Sequence, residues 1–196
     1  GYWIEAAPVD PILIGMGLPG FGRPHRDMMA LFPHLAVSIV LVKDTDSEGR
    51  VRMNDQGRPV LSYDRGPRDR AYMREAVATA ARIHFAAGAR EVMTLHTHRT
   101  VLKPSDDLDK ILEHSSWEEN EVSLYSAHPL GTCRMGEDPR ASVVNSRGRV
   151  HGASGVYVID GSVLPTSLGV NPQVTILAVS ERNAEWIAEN WGAAIS

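Results

Sequence analysis

Two residues in the last third of the chain have the chemistry and the setting for catalysis, and the first is His128. It opens the turn His128-Pro129-Leu130-Gly131-Thr132-Cys133. Pro129 lacks a backbone donor and steers the residue before it away from helix, while Gly131 lets the chain bend closely. An imidazole held at such a turn can accept a proton near neutral pH, although a lone histidine more often serves structure. The second is Asn171, which opens Asn171-Pro172-Gln173. Asparagine is a good N-cap and proline a good first helical residue, so a helix is expected from there to about residue 190. Its start would offer unpaired backbone N–H groups and about half a positive charge. The Asn171 amide would be a neutral donor and acceptor that needs no titration. Between the two lies Gly155-Val156-Tyr157-Val158-Ile159-Asp160-Gly161. Its unbroken apolar run suggests a buried parallel strand, and open α/β sheets bind ligands beyond the carboxyl ends of such strands.

Other candidates are weaker. Gly15-Met16-Gly17-Leu18-Pro19-Gly20 satisfies G-x-G-x-x-G. A pyrophosphate site also needs a helix opening at those glycines and an acidic residue about 20 positions on. Pro19 lies inside the motif, Gly20-Phe21-Gly22-Arg23-Pro24 follows, and no such acidic strand end appears, so the stretch is expected to be a glycine-rich loop. His96 and His98, two apart on a predicted strand at 91–100, would share one face. A zinc site needs further ligands at suitable spacing, and none is evident, so no metal is expected.

The elements needed to position these residues can be traced along the chain. Residues 2–6 and 34–43 suggest strands, and 49–53 and 59–63 form a predicted hairpin across Asn54-Asp55-Gln56-Gly57. An antiparallel meander follows from such short connections. The clearest helix is 67–87, with Pro67 in its first turn, Gly88 beyond its end, and Met73, Ala76, Val77, Ala80 and Ile83 on one face. Shorter helices are expected at 27–32 and at 105–115, the latter capped by Ser105, and a short strand at 122–127 leads to His128. On the final helix Val174, Leu177, Ala184, Ala188 and Trp191 share the expected packing side.

Composition limits the function classes. The 196 residues are 43% apolar and 22% charged, which suits a folded chain with a core. A net charge of −4 gives no basic footprint for nucleic acid. No apolar run approaches the roughly 18 residues of a membrane span. The single cysteine, Cys133, excludes an internal disulfide. The compartment stays open, with the cytoplasm favoured over secretion. Gly1-Tyr2-Trp3-Ile4-Glu5 is neither a basic leader nor a methionine start and suggests a cut inside a larger protein.

Four ordered blocks carry a resemblance. They are His128-Pro129-Leu130-Gly131-Thr132-Cys133-Arg134-Met135-Gly136, then Gly148-Arg149-Val150-His151-Gly152, then Tyr157-Val158-Ile159-Asp160-Gly161-Ser162, then 167–176 from Ser167 through Asn171 to Ile176. Together they resemble the C-terminal signature of the glucose–methanol–choline (GMC) family of FAD-dependent alcohol oxidoreductases. The Gly-Val-Asn-Pro form, with Ser180-Glu181-Arg182-Asn183 behind it, is most similar to the cholesterol oxidase and long-chain alcohol oxidase branch.

The resemblance implies an α+β chain in two parts. Residues 1–126 would be an antiparallel-sheet substrate-binding domain with helices, and 127–196 the last strand and helix of an FAD-binding α/β domain. It implies that His128 takes or holds the substrate hydroxyl proton while the CH–OH hydride goes to flavin N5, with Asn171 orienting the substrate oxygen. Asp160 and Gly161 would meet the FAD ribityl-pyrophosphate, and Asn171, Pro172, Gln173 and Thr175 the flavin ring. The partners implied are a bulky apolar alcohol, long-chain or sterol-like, and the N-terminal FAD-binding half of the same protein. That half, with its glycine-rich grip on ADP, has no counterpart in the sequence, so the chain is expected to act as a fragment that holds FAD weakly or not at all alone. The alternative from a different class is a non-catalytic subunit or module that completes a flavoprotein with another chain.

Overall fold

The computed structural model describes residues 1–98 and 100–195. In chain order the elements are β1 (Tyr2–Ala6), α1 (Pro11–Gly17), α2 (Gly22–Met29), a 3-10 turn (Phe32–His34), β2 (Ser38–Val42), β3 (Glu48–Met53), β4 (Pro59–Asp64) and α3 (Pro67–Ala86). They continue with β5 (Val92–Met93), β6 (Val101–Leu102), α4 (Leu108–His114), a 3-10 turn (Gly161–Val163), α5 (Gln173–Glu189) and α6 (Trp191–Ala194). The described strands form three separate antiparallel pairs, β1–β2, β3–β4 and β5–β6, so the expected meander is three ribbons. The chain divides into two compact units, 1–42 with 66–125 and 43–65 with 126–195.

The first unit is built around α3. Tyr2 pairs with Val42 and Ala6 with Ser38 across β1–β2. On one side of α3 the Tyr2 hydroxyl donates to Glu75 at 3.1 Å, and Ser38 Oγ meets His84 Nε2 at 2.9 Å, which seats the helix on that ribbon. On another side Ala78 and Ala81 join Leu102, Leu108, Leu112 and Trp117 in the main buried cluster. Ala76, Ala78, Ala80 and Ala81 are all buried, a broader arc than the single stripe read from the sequence, while Ile83 is exposed. Having a ribbon on one side and α4 on another explains both the breadth and the alanines, because only small side chains allow close approach on two sides.

Several local expectations are corrected here. The stretch at 11–17 is a helix. Asp10 caps it by accepting from the N–H groups of Ile12 and Leu13, and Pro11 starts it. Gly15 and Gly17 therefore fall within a helix and not ahead of one, which removes the phosphate-loop geometry. α2 begins earlier than expected, at Gly22. Asp107, not Ser105, caps α4 by accepting from the Lys110 N–H. The predicted strand at 91–100 shrinks to Val92–Met93 plus a single bridge from His96 to Val122, and 122–127 contributes no more than that bridge. His96 is buried and His98 exposed, so they do not share a site; Arg99 beside them lies outside the described residues. No group of three metal-ligating side chains occurs among the described residues.

In the second unit β3 and β4 pair from Glu48–Asp64 to Met53–Pro59, as the hairpin signal requires. The expected strand at 155–161 does not form. Its backbone is engaged in local loops, with Val158 N–H donating to Gly148 O at 2.8 Å and Val150 N–H to Val156 O at 2.9 Å. Arg149–Tyr157 is an isolated antiparallel bridge, so no parallel ladder is present at this segment. α5 forms as predicted, but its cap differs. Pro172 takes the cap position, with no side-chain cap hydrogen bond, and the helix starts at Gln173.

Candidate functional site

The turn that carries His128 is fixed by the segment that follows Asp160. Cys133 N–H donates to Ser162 O at 3.0 Å and Met135 N–H to Val163 O at 2.8 Å, so 133–135 runs beside 162–163. Gly131 reaches this path with φ +79°, a left-handed conformation that disfavours any larger residue. Val163 and Leu164 are buried beneath it. His128 itself is half-buried, and Pro129 after it is exposed.

Asp160 stabilises the neighbouring turn. Its Oδ1 accepts from the Ser162 N–H at 2.8 Å and from the Ser162 hydroxyl, capping the 3-10 turn Gly161–Val163. The Asp160 side chain remains exposed, so it stands at a surface while holding its own turn in shape. Gly161 is the crowded point. A Cβ added there would lie 2.9 Å from Ile176 Cδ1, 3.2 Å from Leu130 Cδ2 and 3.4 Å from Pro129 O. The turn after His128, the turn after Asp160 and the first turn of α5 therefore converge on one glycine.

At the start of α5, Pro172 is buried between the exposed Asn171 and Gln173, and Thr175 is half-buried. The Ile176 N–H already donates to Pro172 O at 2.8 Å. The N–H groups of the residues before it have no intrahelical acceptor, as at any helix start. Pro172 at the cap offers no side-chain acceptor, and the positive end of the helix favours a negatively polarised ring edge or oxygen.

Several residues that support the site escaped sequence reasoning. His151 Nε2 donates to Gly136 O at 3.0 Å and meets Ser142 Oγ at 3.1 Å, tying 136–142 to the Gly148–Gly152 block. Gly148 has φ +79°, and a Cβ on it would meet Val158 O at 2.6 Å. Arg182 on α5 reaches back to Ser146 O, and Arg147 lies 5.8 Å from the Trp186 ring centroid. Asn183 is fully buried between these parts, an odd residue for a helix interior that could have drawn attention. Tyr157 donates its hydroxyl to Ala194 O at 3.2 Å, anchoring α6.

Comparisons with known proteins agree with this architecture. A family model described as GMC oxidoreductase matches residues 45–180, which include His128, Asp160, Gly161 and Asn171. An uncharacterized GMC-type oxidoreductase of Mycobacterium tuberculosis is 33% identical over 92% of this chain and 28% of its own length. A long-chain-alcohol oxidase of Arabidopsis thaliana is 30% identical over 79% of this chain and 22% of its own. A paromamine 6'-oxidase of Streptomyces fradiae is 31% identical over 79% and 25%. The chain thus spans about a quarter of the length of the curated relatives it matches. Among solved structures, the pyridoxine 4-oxidase from Mesorbium loti shares the fold with a TM-score of 0.56 at 23% identity, covering 79% of this chain and 30% of that one. No described helix is long and apolar enough to cross a membrane. With more than half of its length matched by the family model, the chain belongs to the GMC oxidoreductases, a family of flavoproteins.

Proposed function

We propose that this chain is the C-terminal part of an FAD-dependent alcohol oxidoreductase acting on CH–OH donors. One observation carries the reading: the His128 turn, the Asp160 turn and the start of α5 converge on Gly161. In this reading residues 1–126 form the substrate-binding domain, and 127–196 belong with an FAD-binding domain whose N-terminal half completes the protein.

The residues present fit the cofactor. The N–H groups of Gln173, Val174 and Thr175, which open α5, have no intrahelical acceptor and suit a negatively polarised group. Asp160 and Gly161 would hold the ribityl-pyrophosphate side, and Asn171, Pro172, Gln173 and Thr175 the ring side. Bound there, FAD supplies the acceptor for the two electrons and one hydrogen that leave the carbinol carbon as hydride. His128 accepts the hydroxyl proton, so an alcohol becomes a carbonyl compound with both hydrogens accounted for. Asn171 holds the substrate oxygen through its amide and keeps the C–H directed while the charge on oxygen grows. The helix start at Gln173 adds positive potential where negative charge gathers.

A bulky apolar alcohol is the proposed substrate, supported by the Gly-Val-Asn-Pro form and by likeness to the long-chain-alcohol oxidase. The test is anaerobic visible spectroscopy of the flavin-loaded holoenzyme with a long-chain alcohol, a sterol and paromamine in turn. A flavin band bleached by the apolar alcohols supports the proposal. His128→Ala should slow bleaching by about 10²–10⁴-fold with flavin retained. Unchanged bleaching in that variant, or a protein that never holds flavin, rejects the reading.

A further inference from the structure

We infer that Ile176 and Leu130, meeting over Gly161, are positioning residues that set the separation between His128 and Asn171. The inference rests on the assignment of those two as the reacting pair, and it concerns residues without polar chemistry of their own. Leu130 is two residues from His128 on the same tight turn, and its Cδ2 reaches the space above Gly161. Ile176 stands in the first turn of α5, bonded through its N–H to Pro172 O, next in sequence to Asn171. Its Cδ1 would be the nearest atom to a Cβ on Gly161, at 2.9 Å.

The segments that carry the pair therefore come together at Gly161, through the ends of Ile176 and Leu130 and the absence of a side chain there. Interiors are packed too densely to take up an added or lost methyl without movement. Both His128 and Asn171 stand at most five residues from the contact, on short and constrained segments. A shift of a few tenths of an ångström at Gly161 is thus passed on to the geometry of the reacting groups. Gly161 does not have the left-handed backbone of Gly131 or Gly148, so alanine there adds no backbone strain, and the flavin spectrum reads any effect on the cofactor separately.

A double-mutant cycle in the flavin-loaded holoenzyme tests this. Gly161→Ala inserts a methyl against Ile176 Cδ1, Ile176→Val removes that Cδ1, and the double variant does both. Each single variant should lower kcat about 10-fold or more with KM changed less than 3-fold and the flavin spectrum unaltered, since misplacement near 1 Å costs about 10²-fold. The double variant should recover most of that loss, because the added methyl occupies the vacated space. If Gly161→Ala does not fold, Ile176→Val and the double variant still decide the matter. Additive losses in kcat, or losses wholly in KM, overturn the positioning role, as does a thermal midpoint that falls in step with kcat without recovery in the double variant. His128→Ala measured alongside separates the two failures. If that variant keeps its activity, the reacting pair is wrong and the inference falls with it; if it loses activity while the cycle is additive, only the positioning role is wrong.

Discussion

Helices α3 and α5 look alike in sequence and differ in surroundings. Each has a proline at its start, Pro67 as the first residue of α3 and Pro172 as the cap of α5. Both run for 17 residues or more, and both show an apolar stripe at helical spacing. In α3 most of that stripe is covered, Ile83 excepted, and four alanines are buried between the β1–β2 ribbon and α4. In α5 the expected packing side is bare: Val174 is 78% exposed and Leu177 61%, Ala184 and Ala188 are exposed as well, and so is Trp191 at the start of α6. The residue of α5 that is fully buried is the polar Asn183, which lies off that stripe. Amphipathic spacing shows which face of a helix needs a neighbour, but it does not show that the neighbour lies in the same chain. Under the proposed function, the neighbour of the α5 stripe is the FAD-binding half.

The largest effect that tests this contrast lies beside α3. Trp117 is 5% exposed, donates its indole N–H to Leu112 O at 2.8 Å and meets the His96 ring edge-on at 4.8 Å. Truncating a buried tryptophan removes its contacts and leaves a cavity, so Trp117→Ala should cost about 3–5 kcal/mol. Urea denaturation of the chain followed by circular dichroism would measure it. A loss below about 1 kcal/mol would show that the cluster beside α3 is no better covered than the stripe of α5.

Next in size is Gly148→Ala on the α5 side. Alanine there must adopt φ +79° and place its Cβ 2.6 Å from Val158 O and 3.1 Å from Asn183 Nδ2. The backbone strain alone costs about 1–3 kcal/mol, and the contact adds to it. The covered side of α5 should therefore prove sensitive although its apolar side is not. If Gly148→Ala melts at the parent temperature, the loop against Asn183 is not tightly packed.

A pH effect sharpens the comparison from the α3 side. His96 is 3% exposed, and burial holds its pKa below the usual histidine value, with Glu121 and the Ser116 backbone opposing that shift. Its Nδ1 is engaged with Thr94 Oγ1 at 2.7 Å. The unfolded chain thus binds a proton at His96 more readily than the folded one. The resulting stability is complete above about pH 6.5, the ordinary histidine value, and is lost as pH falls from there toward the lowered folded value. Denaturation midpoints at pH 7.5 and 5.5 should differ less in His96→Gln than in the parent. Equal slopes in the two proteins would place the acid sensitivity elsewhere.

What could be read from the sequence depended on how local the cause was. The β3–β4 hairpin, α3 and the body of α5 follow from turn residues and periodicity, and all three form close to their expected bounds. The strand at 155–161 did not, because a parallel strand needs a neighbour and the local loop bonds of Val150 and Val158 took its place. Asp10 won its cap by two hydrogen bonds and Asp107 by one, and composition does not rank such bonds against nearby alternatives such as Ser105. In the candidate site, His128, Asp160 and Asn171 were legible as short motifs. Their junction at Gly161 was not, because it depends on Leu130 and Ile176 meeting from 46 positions apart.

The smallest effect is the most direct test of the contrast. Replacing Val174 or Leu177 by serine removes apolar surface that is already in water, so no packing is lost in this chain. The change in stability should stay within about 0.5 kcal/mol, as for surface substitutions generally, with serine's modest helix propensity accounting for most of it. The same pair of substitutions in the holoenzyme has a different expectation. There the proposed FAD-binding half covers the stripe, and each large apolar side chain lost from a buried interface should cost about 1.5–3 kcal/mol. Thermal melts of chain and holoenzyme, with and without Val174→Ser and Leu177→Ser, give the difference directly. Equal shifts in both would mean that the α5 stripe faces water in the whole protein too, and the contrast between the two helices would then reflect their sequences and not a missing neighbour.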